Sequence, residues 1–278
     1  MSLEARLKRL ERELWLRRAK QTIPEDPARF CVEVLGFRPT KYQLKLLRDP
    51  GQFIAARWCR QSGKSFIVSA LLLHYALTHP GSYIMVVGPS FKASKRIIRK
   101  VTPFLRKVPG WLKGKPRKTK LEFINGSMIE AHSNNPDTIR GETSHFVYWD
   151  EVNFTADDEE MYDAIIFSLG TTRGRFLGTS TPWTTDHIFY RMCTHPDFED
   201  YSRHHVTWRE ALEPNGPLSR QILEKIKKQY ASDPNRWRRE MEAEWAEDED
   251  VWLPQSLITD CIDPDLEYYD ERDLVANL

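Results

Sequence analysis

One stretch of the sequence constrains the fold more than any other. An apolar run, Phe53 to Trp58, is followed by a polar loop that ends in Gly63-Lys64-Ser65. The next segment, 66–77, is rich in leucine and alanine and has the length of a buried helix. This order is the one that a phosphate-binding loop requires, because backbone N–H groups and the helix N-terminus then point at the phosphates. On this interpretation, Lys64 contacts the outer phosphates and the Ser65 hydroxyl is a magnesium ligand.

The loop departs from the usual glycine-rich pattern. The pattern has glycine five residues before Gly63, and this chain has Trp58 there. A bare Gly-Lys-Ser also occurs in turns that merely cap a helix, so that alternative stays open on the loop alone. Arg60 favours the phosphate interpretation, because a second cation beside Lys64 suits a polyphosphate.

A second candidate element ends in two adjacent carboxylates. The mostly apolar segment 144–149 predicts a buried strand, and Asp150-Glu151 follows it directly. Asp150 would hold magnesium through its water shell, and Glu151 would polarise a water for attack on the terminal phosphate. Such a pair is by itself more often a solvated helix start. Its combination with the upstream Gly-Lys-Ser favours the catalytic interpretation.

Two smaller motifs support this site. Thr179, Ser180 and Thr181 close another predicted strand, where hydroxyls could touch both phosphate and Glu151, although hydroxyls are also common in plain turns. Tyr42-Gln43 opens a short helix upstream of the loop. The glutamine could offer one donor and one acceptor to an adenine edge, and the tyrosine a face for stacking, unless this is a helix start without a ligand.

Charge is distributed unevenly along the chain, although the net charge is only +1. Between Phe91 and Leu121 there are twelve Lys/Arg and no acid, and from Glu240 onward there are fourteen Asp/Glu and one arginine. The basic segment predicts contact with a polyanion, or else two solvated faces neutralise one another. Clustered cations are what DNA phosphates require, and the candidate DNA-binding residues are Lys92, Lys95, Arg96, Arg99 and Lys100.

The amino-acid composition argues against a membrane span and against a structural zinc site. No apolar run approaches the roughly 20 residues that cross a bilayer, so we expect no membrane association. The four cysteines form no Cys-x-x-Cys pair, which favours a reduced compartment without structural zinc.

The order of predicted elements indicates an α/β fold with a largely parallel sheet. Asn125-Gly126 predicts a β-hairpin insertion over 121–131. We divide the chain into an N-terminal helical extension (1–29), an ATPase core (30–212), a small helical lid subdomain (213–250) and an acidic linker (251–278). In the lid, Trp237, Met241 and Trp245 are spaced by four residues and predict its core.

Together, Tyr42-Gln43, the loop from Arg57 to Ser65, Asp150-Glu151 and the Thr179 to Pro182 turn resemble the ATPase domain of the large terminase subunit of tailed bacteriophages. The resemblance implies a P-loop NTPase of the additional-strand, catalytic-glutamate type that uses ATP and Mg²⁺. It implies metal binding by Ser65 and Asp150, catalysis by Glu151 and Lys64, and coupling of hydrolysis to motion by Thr179, Ser180 and Thr181. The implied nucleotide contacts are Tyr42, Gln43, Arg57, Arg60, Gln61, Ser62, Gly63, Lys64 and Ser65.

The resemblance also implies partners. Arg140 looks like the family's arginine that reaches the nucleotide of a neighbouring subunit, the alternative being a loop arginine paired with Glu142. The expected assembly is a homo-oligomeric ring, a pentamer by resemblance, which moves double-stranded DNA together with a portal protein and a small terminase subunit in the host cytoplasm. Full-length relatives continue into a nuclease domain, so we expect no cleavage activity from these residues. A helicase-like ATPase, a small-molecule P-loop kinase and a nucleotide-binding module without turnover are the rival interpretations.

Overall fold

The computed structural model describes residues 23–246 and four isolated positions, 6, 7, 10 and 261. Most of the helical extension predicted over 1–29, and all but one position of the acidic linker predicted over 251–278, lie outside the described residues. Within the described residues, no helix combines the length and apolar character that a membrane span needs.

A seven-stranded sheet forms the centre of the molecule, in the order β3-β4-β2-β5-β6-β1-β7. Every neighbouring pair is parallel except β3 and β4. The strands are β1 (Phe53–Trp58), β2 (Tyr83–Val87), β3 (Lys120–Glu122), β4 (Met128–Ala131), β5 (Phe146–Asp150), β6 (Arg175–Ser180) and β7 (Ser202–Val206).

Strand β6 lies between β1 and β5, which confirms the additional-strand arrangement. Its register pairs Ser180 with Arg57 on one side and Thr179 with Asp150 on the other. Because the carboxyl ends of parallel strands meet at one edge of a sheet, the loop after β1, the acidic pair after β5 and the hydroxyl turn after β6 converge there.

Helices cover both faces of the sheet. They are α1 (Pro27–Arg29), α2 (Lys41–Leu47), α3 (Lys64–Thr78), α4 (Phe91–Val101), α5 (Asp158–Leu169), α6 (Ile188–Thr194), α7 (Trp208–Ala211), α8 (Arg220–Gln229) and α9 (Pro234–Met241), and a π-helical segment, Phe30–Leu35, continues α1. One apolar cluster packs α3 and α4 on one face, and another packs α5 and α6 on the other. Helix α3 is buried nearly all round, as its apolar composition predicts.

The hairpin prediction is confirmed, with one correction to its place. Strands β3 and β4 pair antiparallel around Gly126, whose φ of 88° suits a tight turn. The pair is not a separate insertion, because β4 also pairs with β2 and the hairpin completes one edge of the sheet. At the other edge, β7 was missed, because its Ser-Arg-His-His sequence has the partly exposed, polar character of an edge strand rather than an apolar run.

The helices predicted for the lid subdomain form as α8 and α9, which we call the α8–α9 hairpin. Leu223 and Met241 are buried there in an apolar cluster that also includes Cys59 of the loop after β1. One prediction for this hairpin is wrong: Trp245 lies beyond the end of α9 and packs edge-on to Tyr190, 5.0 Å between centroids, on the α5–α6 side of the sheet.

Candidate nucleotide site

The loop after β1 adopts its shape without the missing glycine. Trp58 is the last residue of β1, and its buried ring packs edge-on to Tyr42 at 5.0 Å. An extended strand position has no need of glycine. The left-handed conformations fall later in the loop, at Gln61 (φ 62°) and Gly63 (φ 77°). Ser62 is buried and donates to the Cys59 carbonyl at 2.7 Å, so it holds the loop internally.

Helix α2 braces this loop from behind. The Tyr42 hydroxyl donates to the Ser62 carbonyl at 2.8 Å, and burial raises the pKa of that phenol to about 12. Since the ring is only 7% exposed, it does not offer the open stacking face that the sequence suggested. Gln43 accepts from the Thr40 N–H in a capping box, and a Cβ at Gly63 would lie 2.9 Å from Gln43 Nε2. The glutamine therefore contacts the loop, and its oxygen already serves the helix cap.

A cavity of about 490 Å³ opens above the loop. Its wall includes Arg60, Gln61, Ser62, Gly63, Lys64, Ser65, Arg96, Lys100, Glu151 and Thr181. The Lys64 ammonium, at the start of α3, donates to Glu151 Oε1 at 3.0 Å and so joins the phosphate loop to the residue that follows β5. Burial acts to raise the pKa of the Glu151 carboxyl, but the adjacent Lys64 ammonium, helped by Arg60 and the Thr181 backbone, holds that pKa below its usual value.

Asp150 is buried within a hydroxyl network. Its Oδ1 accepts from the Tyr148 hydroxyl at 2.6 Å and from Thr179 Oγ1 at 3.2 Å. Burial raises the pKa of this carboxyl, and the Lys64 ammonium opposes that shift. Tyr148 was not predicted as a site residue. A signal was present, because residues two apart on a strand share a face, so Tyr148 had to lie beside Asp150.

The hydroxyl turn after β6 contacts the second carboxylate. Ser180 Oγ donates to Glu151 Oε2 at 3.4 Å and accepts from the Asn153 N–H at 3.3 Å. Glu151 itself has a φ of 53°, a conformation that a non-glycine residue adopts at a cost of about 1–3 kcal/mol. The surrounding fold thus holds Glu151 in a strained position facing Lys64.

The two arginines of the predicted nucleotide set each form an ion pair with a carboxylate near the end of the described chain. Arg57 donates to the Ala243 carbonyl at 3.1 Å and to Glu244 Oε2 at 2.6 Å. Arg60 pairs with Glu240 on α9, a carboxylate that is only 5% exposed. Arg57 is not part of the cavity wall, and Arg60 lines the cavity while tied to the α8–α9 hairpin.

Comparison with known proteins identifies the family. The family described as "Terminase large subunit, T4likevirus-type, N-terminal" matches residues 59–260, more than half of the chain. The chain belongs to this terminase family.

Solved terminases share the fold. The ATPase domain of the Thermus phage P74-26 large terminase is 23% identical with a TM-score of 0.63, over 80% of this chain and 100% of that one. The large terminase of another thermophilic bacteriophage, solved in complex with ADP, is 19% identical with a TM-score of 0.63, over 75% and 54%. The HK97 large terminase is 14% identical with a TM-score of 0.67, over 82% and 56%. The alignments thus span about half the length of the last two proteins.

Arg140 of this terminase domain lies apart from its own cavity wall. Its guanidinium contacts Asp137 Oδ1 at 2.7 Å and Glu160 Oε2 at 3.3 Å, and the side chain is 56% exposed. The alternative pairing with Glu142 does not occur.

The basic helix α4 separates two cavities of the terminase domain. Lys92, Lys95, Arg96 and Arg99 line an outer cavity of about 560 Å³, together with Arg106, Arg117 and Lys118. Lys100, predicted in the DNA-binding set, lines the nucleotide cavity instead, and Arg96 belongs to both walls. Sequence periodicity placed these cations on one helix but could not show which cavity each one faces.

Proposed function

We propose that this terminase domain hydrolyses Mg-ATP at the cavity above the β1–α3 loop and uses the energy to translocate double-stranded DNA. The observation that carries the proposal is the 3.0 Å contact of Lys64 with Glu151, which joins a phosphate loop to a strand-end carboxylate. Family membership and the cavity volume of about 490 Å³ support it. The thermophilic-phage terminase was solved with ADP and with ATP-gamma-S, which supports the choice of nucleotide.

Magnesium fits the residues at this site. Both hydrogen bonds that Asp150 receives within the described chain end on Oδ1, so Oδ2 is left for a cation or its bound water. Mg²⁺ in phosphoryl-transfer sites takes one or two carboxylates, substrate phosphates and several waters, so Asp150 and Ser65 suffice as protein ligands. When bound, the ion would neutralise charge that develops on the phosphate oxygens.

Each side chain then has a stated role. The loop N–H groups and Lys64 would hold the phosphates, and α3 begins at Lys64, so its N-terminus faces them. Glu151, kept ionised by Lys64, would accept a proton from the attacking water. Ser180 and Thr179 each bond one of the two carboxylates, so they would transmit a change at the site to β6.

The neighbouring subunits, the DNA and the other proteins that this domain would contact are also proposed. Exposed Arg140 would reach the cavity of a neighbouring subunit in a homo-oligomeric ring, for which we propose five members. The outer cavity beside α4 would take DNA phosphates, because the described residues of its wall include seven cations and no carboxylate. A portal protein and a small terminase subunit at the prohead, in the host cytoplasm, complete the expected setting.

The test is steady-state ATP hydrolysis as a function of protein concentration, with and without double-stranded DNA, for wild type, Glu151→Gln and Lys64→Ala. We expect both variants to lose turnover while retaining the wild-type circular dichroism spectrum. Activity per wild-type subunit should rise with concentration and with DNA. Equal hydrolysis by wild type and Glu151→Gln would refute the proposed catalytic site. Phosphate transfer to an added acceptor would indicate a kinase instead.

A further inference from the structure

Helix α4 turns two cations toward the nucleotide cavity. Arg96 and Lys100 are four residues apart, so they lie on the same side of the helix, one turn apart. Both belong to the wall that also contains Lys64 and Glu151. The buried residues of α4, among them Ile97 and Val101, anchor the helix in the core, so the two cations are presented by a fixed element rather than by a loop.

Among the described residues, Arg96 and Lys100 have no carboxylate partner, unlike the three arginines named as candidate nucleotide contacts. Arg57, Arg60 and Arg140 each form an ion pair within the chain. Across residues 23–246, Arg96 and Lys100 form neither an ion pair nor a side-chain hydrogen bond, and the segment between Phe91 and Leu121 contains no acid that could supply one. The cavity wall therefore carries four cations, two of them unpaired, against the single carboxylate of Glu151.

One of the two unpaired cations, Lys100, lies within electrostatic range of both strand-end carboxylates. Burial lowers the pKa of the Lys100 ammonium. The Asp150 and Glu151 carboxylates oppose this shift, and the Lys64 ammonium adds to it. The positive charge of Lys100 therefore interacts electrostatically with both Asp150 and Glu151. Glu151 marks the place of the attacked phosphate, whereas the loop N–H groups surround the inner phosphates.

We propose that Arg96 and Lys100 bind the terminal phosphate of the nucleotide and so distinguish ATP from ADP at this site. The inference rests on the proposed function, because it assumes a nucleoside triphosphate above the loop. It adds a role for α4, the helix whose outer side we propose for DNA. A charge-assisted hydrogen bond to a phosphate oxygen would be lost with the γ-phosphate, so the two side chains favour the triphosphate state over the diphosphate state.

Lys100 is the cleaner residue to test, because Arg96 also lines the outer cavity. We would measure dissociation constants for Mg-ATPγS and Mg-ADP, without DNA, for wild type, Lys100→Gln, Lys100→Arg and Arg96→Gln. Lys228→Gln serves as the matched control, since Lys228 is an exposed helical lysine on α8 outside both cavity walls.

We expect Lys100→Gln and Arg96→Gln each to weaken ATPγS binding about tenfold or more while changing ADP binding little, as loss of one hydrogen bond to a charged group implies. Lys100→Arg should recover most of the affinity, and Lys228→Gln should match wild type. Equal weakening for both nucleotides, or no change, in variants whose circular dichroism matches wild type would overturn the inference.

The same measurement separates this inference from the proposed function. If wild type binds both nucleotides, Lys64→Ala weakens both, and the α4 variants leave the ATPγS-to-ADP ratio unchanged, the inference is wrong and the nucleotide site stands. If wild type binds neither nucleotide, the proposed function is wrong and the inference is overturned with it.

Discussion

At the scale of single residues, the hydroxyl network around Asp150 decides how well that carboxylate can hold magnesium. Tyr148 is fully buried, and its hydroxyl lies 2.6 Å from Asp150 Oδ1 and 3.1 Å from Thr179 Oγ1. These groups fix Oδ1 and so orient Oδ2. Groups that orient a ligand in this way change metal affinity or activity by roughly 10–100-fold when they are removed.

Tyr148→Phe should therefore raise the Mg²⁺ concentration for half-maximal ATP hydrolysis about tenfold. Burial already raises the pKa of Asp150, and the Tyr148 hydrogen bond opposes this, so its loss raises the pKa further. A raised pKa leaves more Asp150 protonated as the pH falls, and the Mg²⁺ requirement of the variant should increase more steeply on acidification than that of wild type. Magnesium titrations at several pH values measure both effects.

Tyr162→Phe is the matched control, since its hydroxyl bonds Tyr201 at 2.9 Å on the α5–α6 side of the sheet. It should leave the magnesium titration unchanged. A Tyr148→Phe protein with the wild-type Mg²⁺ requirement would show that Asp150 needs no hydroxyl to orient it.

The residues whose roles follow from local order could be predicted from the sequence. Gly63-Lys64-Ser65 and Asp150-Glu151 sit where a strand ends, and the structure brings Lys64 and Glu151 into contact. The partners of Arg57 and Arg60 could not be predicted, because their carboxylates come from residues some 180 positions later. The cavity that Lys100 faces likewise depends on how α4 packs.

At the scale of elements, the α8–α9 hairpin is joined to the phosphate loop by both apolar and polar contacts. Cys59 shares an apolar cluster with Leu223 and Met241, and the Arg60 N–H donates to the Glu240 carbonyl at 2.9 Å. A shift of the hairpin would therefore move the start of the loop. This arrangement supports the lid role that we propose for residues 213–250.

Leu223→Ala should destabilise the protein by about 2–5 kcal/mol, because a buried leucine is replaced by a cavity. Since Cys59 lines the same cluster, ATPγS affinity should also fall. Denaturant unfolding and nucleotide titration at a temperature where the variant is folded measure the two effects. Ile222→Ala is the matched control on the same helix, because Ile222 is 43% exposed. Unchanged ATPγS affinity in folded Leu223→Ala would mean that the hairpin does not act on the loop.

Sequence patterns predicted most elements of the sheet, because its central strands are apolar runs bounded by turn residues. They failed at the periphery. Strand β7 is held by its register with β1 rather than by its own composition, and Trp245 follows helical spacing past the point where α9 ends. In both places tertiary packing outweighs the local pattern.

At the scale of the whole molecule, the position of Arg140 supports the proposal that it acts on a neighbouring subunit. Arg140 is exposed, its guanidinium pairs with the carboxylates of Asp137 and Glu160, and it is not among the described residues that line its own subunit's cavity. Both contacts are exposed ion pairs, which are worth about 1 kcal/mol or less, so an incoming phosphate could displace them. A head-to-tail ring would bring each Arg140 to the cavity of the next subunit.

Mixing complementary variants tests this arrangement. Arg140→Ala and Glu151→Ala should each lose about a thousand-fold or more in turnover. Mixed in equal amounts, they should regain activity, because an Arg140→Ala subunit keeps its own Glu151 and can receive Arg140 from a Glu151→Ala neighbour. In a random head-to-tail ring, roughly a quarter of the interfaces have this composition. Hydrolysis measured against the mixing ratio, with assembly followed by analytical ultracentrifugation, gives the result.

Mixtures that contain Lys64→Ala serve as the matched controls. Mixed with Arg140→Ala, it should also restore activity, since it provides Arg140 to neighbours with intact cavities. Mixed with Glu151→Ala, it should restore none, because each subunit then lacks a residue of its own cavity. Recovery in that second mixture would point to subunit exchange or contamination rather than to a shared site. If mixed rings form and neither partner rescues Arg140→Ala, Arg140 acts within its own subunit or not at all. Rescue by a neighbouring subunit is expected only if Arg140 acts across the interface.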